Sequence, residues 1–362
     1  MIAVEVGLVA RPVVALRPLF RKFSYLRPMN ASITKHELLF KELAKTSRET
    51  LRTRPVWHLS LEENGIVGTG ECAPLFGLSH ETEREVLDAL EDVCQNPMYF
   101  VDNLAQLDAI PSVKFALEMA WLDWKNGGTG RLFESDFLCG KRGIPINGLI
   151  WMNDAEHMLA QIEAKLAAGF SCIKLKIGAL GFKQELRLIE HIRQRYTAEQ
   201  ITIRVDANGG FAPHKALAKL RQLAEYDLHS IEQPIRAGNW AAMASLCEQS
   251  PLPIALDEEL IGVLQREDKQ LLLDLIRPQY LVLKPSLHGG FSSCDEWIQL
   301  AEERGVSWWG TSYLESNVGL SAIAQWAATK KLEGHQGLGT GQLFSNNFPS
   351  PLRIEGERLL FH

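Results

Sequence analysis

The sequence predicts an α/β protein, a (β/α)8-type (modified TIM) barrel with an N-terminal α+β capping domain. Two observations lead there. From residue 146 onward, eight short apolar runs alternate with stretches whose apolar residues fall three and four apart, the helical period. The first run lacks the Gly-x-Gly-x-x-Gly turn of an open dinucleotide-binding sheet, which favours a closed parallel barrel.

The strand-like runs are INGLIWM (146–152), CIKLKIG (172–178), ITIRVDAN (201–208), HSIEQP (229–234), IALDEE (254–259), YLVLKPS (280–286), VSWWGTS (306–312) and a weaker QGLGTG (336–341). Segments such as AEHMLAQIEAKLAAG and FKQELRLIEHIRQRY supply the helices between them. The chain before residue 110 differs in kind. RPVWHLSLEENGIVGTGECAP reads as a hairpin turning at Asn64-Gly65. HETEREVLDALEDVCQN and PSVKFALEMAWLDWKN read as helices, the first opening near Ser79. The expected division is a cap over 37–135, a barrel over 136–342, and a tail over 343–362 that completes the cap. Residues 1–36 form an extension that fits neither pattern.

Composition bounds the function. The 362 residues are 46% hydrophobic and 23% charged, enough for a sizeable core. Acidic residues outnumber basic ones, 44 to 38, and the signs are mixed, so a nucleic-acid partner is not expected. No stretch reaches the roughly 18 uninterrupted apolar residues of a membrane helix. The apolar opening segment is broken by Glu5, Arg11 and Arg17 and shows no signal-peptide cleavage site. The six cysteines never form Cys-x-x-Cys, which argues against a zinc site or disulfide framework. A cytoplasmic location follows as the expectation.

Charged residues end five consecutive barrel strands, where apolar ones belong: Lys174 and Lys176, Asp206, Glu232, Asp257 and Lys284. They recur 25 to 30 residues apart, one βα unit per step, which places them at one height on the C-terminal rim, where barrels present catalytic groups. A single aspartate at a strand end is commonly a cap or turn residue. Three carboxylates on adjacent strands would repel one another unless a cation joined them. An all-oxygen set points to Mg2+, with Mn2+ as a substitute, rather than zinc. Lys174 and Lys176 lie two apart, so both leave the same strand face. Burial and neighbouring cations lower a lysine's pKa and fit it to act as a base. Metal and lysine together suit proton abstraction next to a carboxylate.

This constellation resembles the enolase superfamily, for which a lysine or histidine base with Mg2+ is the known pairing. The sixth-strand lysine is similar to the muconate-lactonizing subgroup. Within it, GECAPLFGLSHET (70–82), PINGLIWM (145–152) and TSYLESNVGL (311–320) resemble the o-succinylbenzoate synthase family. The resemblance implies Mg2+ on Asp206, Glu232 and Asp257, and Lys176 as the base. It implies Lys174 on the substrate carboxylate or beside Lys176, Lys284 as the stabilising charge opposite, and Asn208 as an amide behind the ligands. The implied reaction is a dehydration on the route to menaquinone by a carbon–oxygen lyase, with a small-molecule carboxylate as substrate.

Ser316 and Gly319 are expected to offer a hydroxyl and a backbone N–H to the substrate's second carboxylate. Ser47 and Arg48, with Thr46 and the Leu75-Phe76-Gly77-Leu78 turn, are the expected lid. Glu258 and Glu259 are read as extending the third ligand strand in a supporting role, while His288 and Cys72 are assigned none. Gly339-Thr340-Gly341 lacks the paired aspartates with which dipeptide epimerases of the subgroup hold an amino group. Two lysines also suit an N-succinylamino acid racemase or another epimerase or cycloisomerase. A non-catalytic metal-binding barrel is the reading from a different class.

Overall fold

The computed structural model describes residues 29–45, 50–178, 180–332 and 334–362. Strands β1 (Asn30–Lys45), β2 (Thr50–Glu63) and β3 (Ile66–Cys72) form an antiparallel sheet in that order. β1 begins at Asn30, within the stretch the sequence left unassigned. The β2–β3 turn falls at Asn64-Gly65, whose φ of 55° and 77° lie in the left-handed region these residues tolerate.

Helix α1 (Glu83–Gln95) opens at Thr82 rather than Ser79. Thr82 and Glu85 cap each other reciprocally, while the Ser79 hydroxyl accepts from Leu75 N at 3.0 Å. After the short α2 (Pro97–Asp102), helix α3 (Pro111–Lys125) lies directly on β3. A Cβ at Gly70 would sit 1.9 Å from Ala116 O, and one at Gly68 2.2 Å from Ala120 O. Glycine at both positions permits that approach.

After the two-residue strand β4 (Ile144–Pro145) comes a seven-stranded parallel sheet. Its strands are β5 (Gly148–Ile150), β6 (Cys172–Lys176), β7 (Thr202–Asp206), β8 (Ser230–Glu232), β9 (Ile254–Leu256), β10 (Tyr280–Leu283) and β11 (Ser307–Gly310), hydrogen-bonded in chain order. Helices α4 (Ala155–Ala167), α5 (Phe182–Arg193), α6 (Pro213–Ala224), α7 (Trp240–Gln249), α8 (Arg266–Ile276), α9 (Gly290–Glu302) and α10 (Asn317–Ala328) follow these strands one by one. The eighth run is not a strand. It is reduced to bridges from Gln336 to Ile146 and from Gly337 to Thr311, which close the ring between its first and last strands. Three glycines in QGLGTG explain why no regular strand forms there.

The main apolar core lies between strands and helices, with a smaller one inside the cap. The barrel interior holds Ala255, Val282 and Trp309, with the Arg204 guanidinium 4.1 Å from the Trp309 ring centroid.

Two buried carboxylates of the cap dock it on the barrel, each at a helix N-terminus where backbone N–H groups lack partners. Glu118 of α3 accepts from Phe291 N at 2.5 Å and from the Ser292 hydroxyl at the start of α9. Glu71 of β3 accepts from Ser316 N and Gly319 N, both at 2.8 Å, and from the Ser316 hydroxyl at the start of α10.

The tail divides. Phe344 bridges Phe40 on β1, and Ser345 N donates to Leu39 O at 2.8 Å, so this part lies on the cap. Strands β12 (Leu352–Glu355) and β13 (Arg358–Phe361) instead form a hairpin that pairs with β4, at the barrel end where β5 begins. No helix among the described residues is long and apolar enough to cross a membrane.

Candidate active site

Lys176, Asp206 and Glu232 are lateral partners on β6, β7 and β8, so their side chains leave the sheet at one height. Asp257 directly follows β9 and joins them at the strand ends. One carboxylate oxygen from each of Asp206, Glu232 and Asp257 lies within 4.8 Å of the other two. All three side chains are buried. Glu232 Oε1 is enclosed and has no hydrogen-bond partner, the state of an oxygen that expects a ligand. Three hard oxygen donors converging on one point fit a divalent cation.

The lysines supply the positive charge in this structure. Lys174 Nζ pairs with Glu232 and lies 3.1 Å from Asp206; Lys176 Nζ is also 3.1 Å from Asp206; Lys284 Nζ pairs with Asp257. Burial disfavours ionised Asp206, but Lys174 and Lys176 outweigh it and hold that carboxyl well below its usual range. Glu232 goes the other way. Burial, reinforced by Asp206 and Asp257, pushes it up to about 7 against the pull of Lys174. The lowering of lysine pKa expected on β6 is reversed at Lys174, and Lys284 shifts the same way. Burial opposes the charge on Lys174 and on Lys284, yet the adjacent carboxylates raise both above the ordinary lysine value.

Lys176 has a second partner: its Nζ donates to Asn208 Oδ1 at 3.0 Å. Asn208 Nδ2 in turn donates to Glu258 Oε1 at 2.9 Å, which fixes the amide so that its oxygen faces the lysine. Glu258 and Glu259 lie in a short 3-10 turn, Glu258–Leu260, not in an extended strand. Glu258 contacts the site through Asn208, while Glu259 accepts from Gln233 and from Gly238 N. β6 and β10 flank β7, β8 and β9 in the seven-stranded sheet, so Lys176, against Asp206, and Lys284, against Asp257, face each other across the triad. Between them opens a cavity of ≈ 360 Å³, walled on its apolar side by Leu75, Leu78, Leu149, Trp151, Tyr313 and Leu314.

Ser316 and Gly319 are not in that cavity. Their donors are taken up by Glu71, a carboxylate of the chain itself, so the expectation that they meet substrate gives way to a cap-to-barrel clamp. Ser47 and Arg48, with Thr46, fall outside the described residues. Leu75 and Leu78 do line the cavity, as the lid reading requires of that turn. Sequence reasoning missed Arg54, Glu71, Tyr313 and Glu315. Arg54 and Glu71 alternate with the core residues Trp57, Leu59 and Cys72 and so lie on the opposite strand face, which sequence alternation marks as outward and the barrel encloses. Burial raises the Glu71 carboxyl against its hydrogen bonds to Ser316 and Gly319 and the field of Arg54. Glu71→Gln should destabilise folding by about 2–3 kcal/mol, because the amide leaves a buried donor at the α10 N-terminus unmatched. Denaturant unfolding measures this, and an unchanged midpoint would contradict the clamp.

Comparison with known proteins fits this geometry. The Enolase C-terminal domain-like family matches residues 157–361, and the family described as MenC, N-terminal domain, matches residues 28–124. The chain is 46% identical to an o-succinylbenzoate synthase of Desulfotalea psychrophila, over 91% of its own length and 98% of that protein. It is 27% identical to an N-succinyl-L-Arg/Lys racemase of Bacillus cereus, over 75% of each chain. The crystal structure of MenC from Desulfotalea psychrophila superposes with a TM-score of 0.81 at 43% identity, covering 91% of this chain and 99% of that one. The L-Ala-D/L-Glu epimerase of Bacillus subtilis shares the fold, with a TM-score of 0.80 at 21% identity over 92% and 96% of the two chains. A parallel barrel with an acidic triad between two lysine-bearing strands, under an α+β cap, defines an enzyme of the enolase superfamily. Within it, the chain belongs to the o-succinylbenzoate synthase family.

Proposed function

We propose that this chain removes water from 2-succinyl-6-hydroxy-2,4-cyclohexadiene-1-carboxylate to give o-succinylbenzoate, a step of menaquinone biosynthesis in the cytoplasm. The observation that carries the reading is the likeness to the Desulfotalea psychrophila synthase over nearly its whole length, joined to two lysines facing each other over three buried carboxylates. Asp206, Glu232 and Asp257 hold Mg2+, with Mn2+ as a substitute. The ion supplies fixed positive charge where the substrate carboxylate gathers electron density.

The chain's own groups do the rest. Lys176 Nζ, oriented by Asn208, takes the proton from the ring carbon bearing the carboxylate. The electrons left behind form the new ring double bond as the carbon–oxygen bond to the hydroxyl breaks. Lys176 returns the proton to the departing hydroxyl, so water leaves and the ring becomes aromatic. Lys174 and Lys284, placed beside the triad carboxylates, flank the substrate carboxylate and stabilise its added charge. The apolar wall accepts the ring and excludes bulk water.

A steady-state assay with the cyclohexadiene substrate tests this. Dehydration that depends on added divalent cation is expected. Efficient racemisation of N-succinylamino acids without dehydration would overturn it.

A further inference from the structure

We propose that Tyr313 is a positioning residue for Lys284, and that through it the cap sets the placement of a lysine on the barrel rim. The Tyr313 ring is shared by two cations from different domains. Lys284 Nζ lies 5.8 Å from its centroid, and the Arg54 guanidinium of cap strand β2 lies 5.2 Å from it. Both distances are within the reach of attraction between a cation and the negative face of an aromatic ring.

This tyrosine is held at its backbone and at its hydroxyl. Its backbone N–H donates to both oxygens of Glu315, at 3.0 and 2.8 Å. Its hydroxyl sits 3.3 Å from Ser79 Oγ on the cap. The next residue, Leu314, holds a φ of 61°, a left-handed conformation that costs a leucine energy and persists only when its surroundings impose it. Glu315 also accepts from the Ser286 hydroxyl, two residues after Lys284, so one carboxylate ties the lysine's loop to the tyrosine's loop. Arg54 is fully buried, donates to Ala73 O through Nη2, and leaves Nε and Nη1 without hydrogen-bond partners. The ring face is the electron-rich surface next to it.

The chemistry gives the ring a task that Asp257 alone does not cover. Asp257 is the partner of Lys284 and also one of the three convergent carboxylates. A carboxylate that holds a cation attracts a lysine less. The ring face is a support for the ammonium that does not compete for that carboxylate, and it cannot be neutralised by it.

This inference rests on the reading of Lys284 as the charge facing Lys176, and the test separates the two. Three proteins are compared: wild type, Tyr313→Phe, which keeps the ring, and Tyr313→Leu, which removes it. Expected is a kcat within about twofold of wild type for the phenylalanine variant and a roughly tenfold fall for the leucine variant, with KM shifted much less. NMR of protein labelled at lysine Cε and Nζ, with the Lys284 resonance assigned through Lys284→Ala, gives a readout without turnover. The ε-methylene protons should be shifted upfield by the ring current in wild type and Tyr313→Phe, and return to the ordinary lysine position in Tyr313→Leu. If the leucine variant does not fold, the wild-type and phenylalanine spectra decide alone. An ordinary Lys284 position in wild type, or leucine and phenylalanine variants of equal kcat, overturns the proposal. A wild type with the upfield shift but no dehydration overturns the proposed function and leaves the positioning contact standing.

Discussion

Lys176→Ala should lose turnover by about 10³- to 10⁴-fold while still binding Mg2+, in keeping with the rate a positioned general base supplies. The geometry separates the two effects. Lys176 Nζ touches Asp206 and Asn208, and Asp206 keeps a second ammonium, Lys174, at the same 3.1 Å. Removing Lys176 therefore strips no carboxylate of its last positive neighbour, and all three members of the triad remain. Lys176→Arg sharpens the result. It restores the charge, but a guanidinium does not deprotonate, so activity should stay as low as in the alanine variant. Turnover within tenfold of wild type in either variant would remove Lys176 from the role of base. Mg2+ affinity, followed by thermal shift, should be unchanged in both.

The triad and the lysines were legible because a barrel repeats one structural unit. Charges at strand ends recur with the length of that unit, and the register Lys176–Asp206–Glu232 is the structural counterpart of that spacing. The clamp was not legible as such. Glu71 and Ser316 are 245 residues apart, and nothing local signals that a cap strand meets the start of α10. The reading of Ser316 and Gly319 as an anion site was right about the chemistry and wrong about the anion. A serine and a bare N–H at a helix start do collect a carboxylate, and the chain provides it. The eighth strand and the tail failed for a related reason. Gln336 and Gly337 are placed by neighbours on both sides rather than by their own propensity, and β13 is placed by a two-residue partner in β4.

Glu232→Gln should separate the cost of the triad from its use. Glu232 is enclosed with one oxygen unpartnered, and burial raises its carboxyl from 4.5 to about 7. A carboxyl whose folded pKa is raised favours folding while protonated. That contribution is complete below about pH 4.5 and is lost as the pH rises through about 7. Metal-free wild type is therefore expected to lose stability across this window, and the glutamine variant should lack that part of the slope. At pH 8 without metal the variant should be as stable as wild type or more so, because a neutral side chain removes the cost of burying the Glu232 charge and its repulsion with Asp206 and Asp257, which together outweigh the pull of Lys174. Adding Mg2+ should reverse the order. A ligand at a hundred times its Kd stabilises by about 2.7 kcal/mol. Wild type should gain on that scale, and the variant, with one anionic donor lost, should gain little. Its turnover should fall by roughly 10³-fold, since removing the donor weakens the charge that several kcal/mol of transition-state stabilisation depend on. Equal Mg2+-induced shifts in the two proteins would show that Glu232 is not a ligand. A shared pH slope would show that the strain among the three carboxylates resides elsewhere.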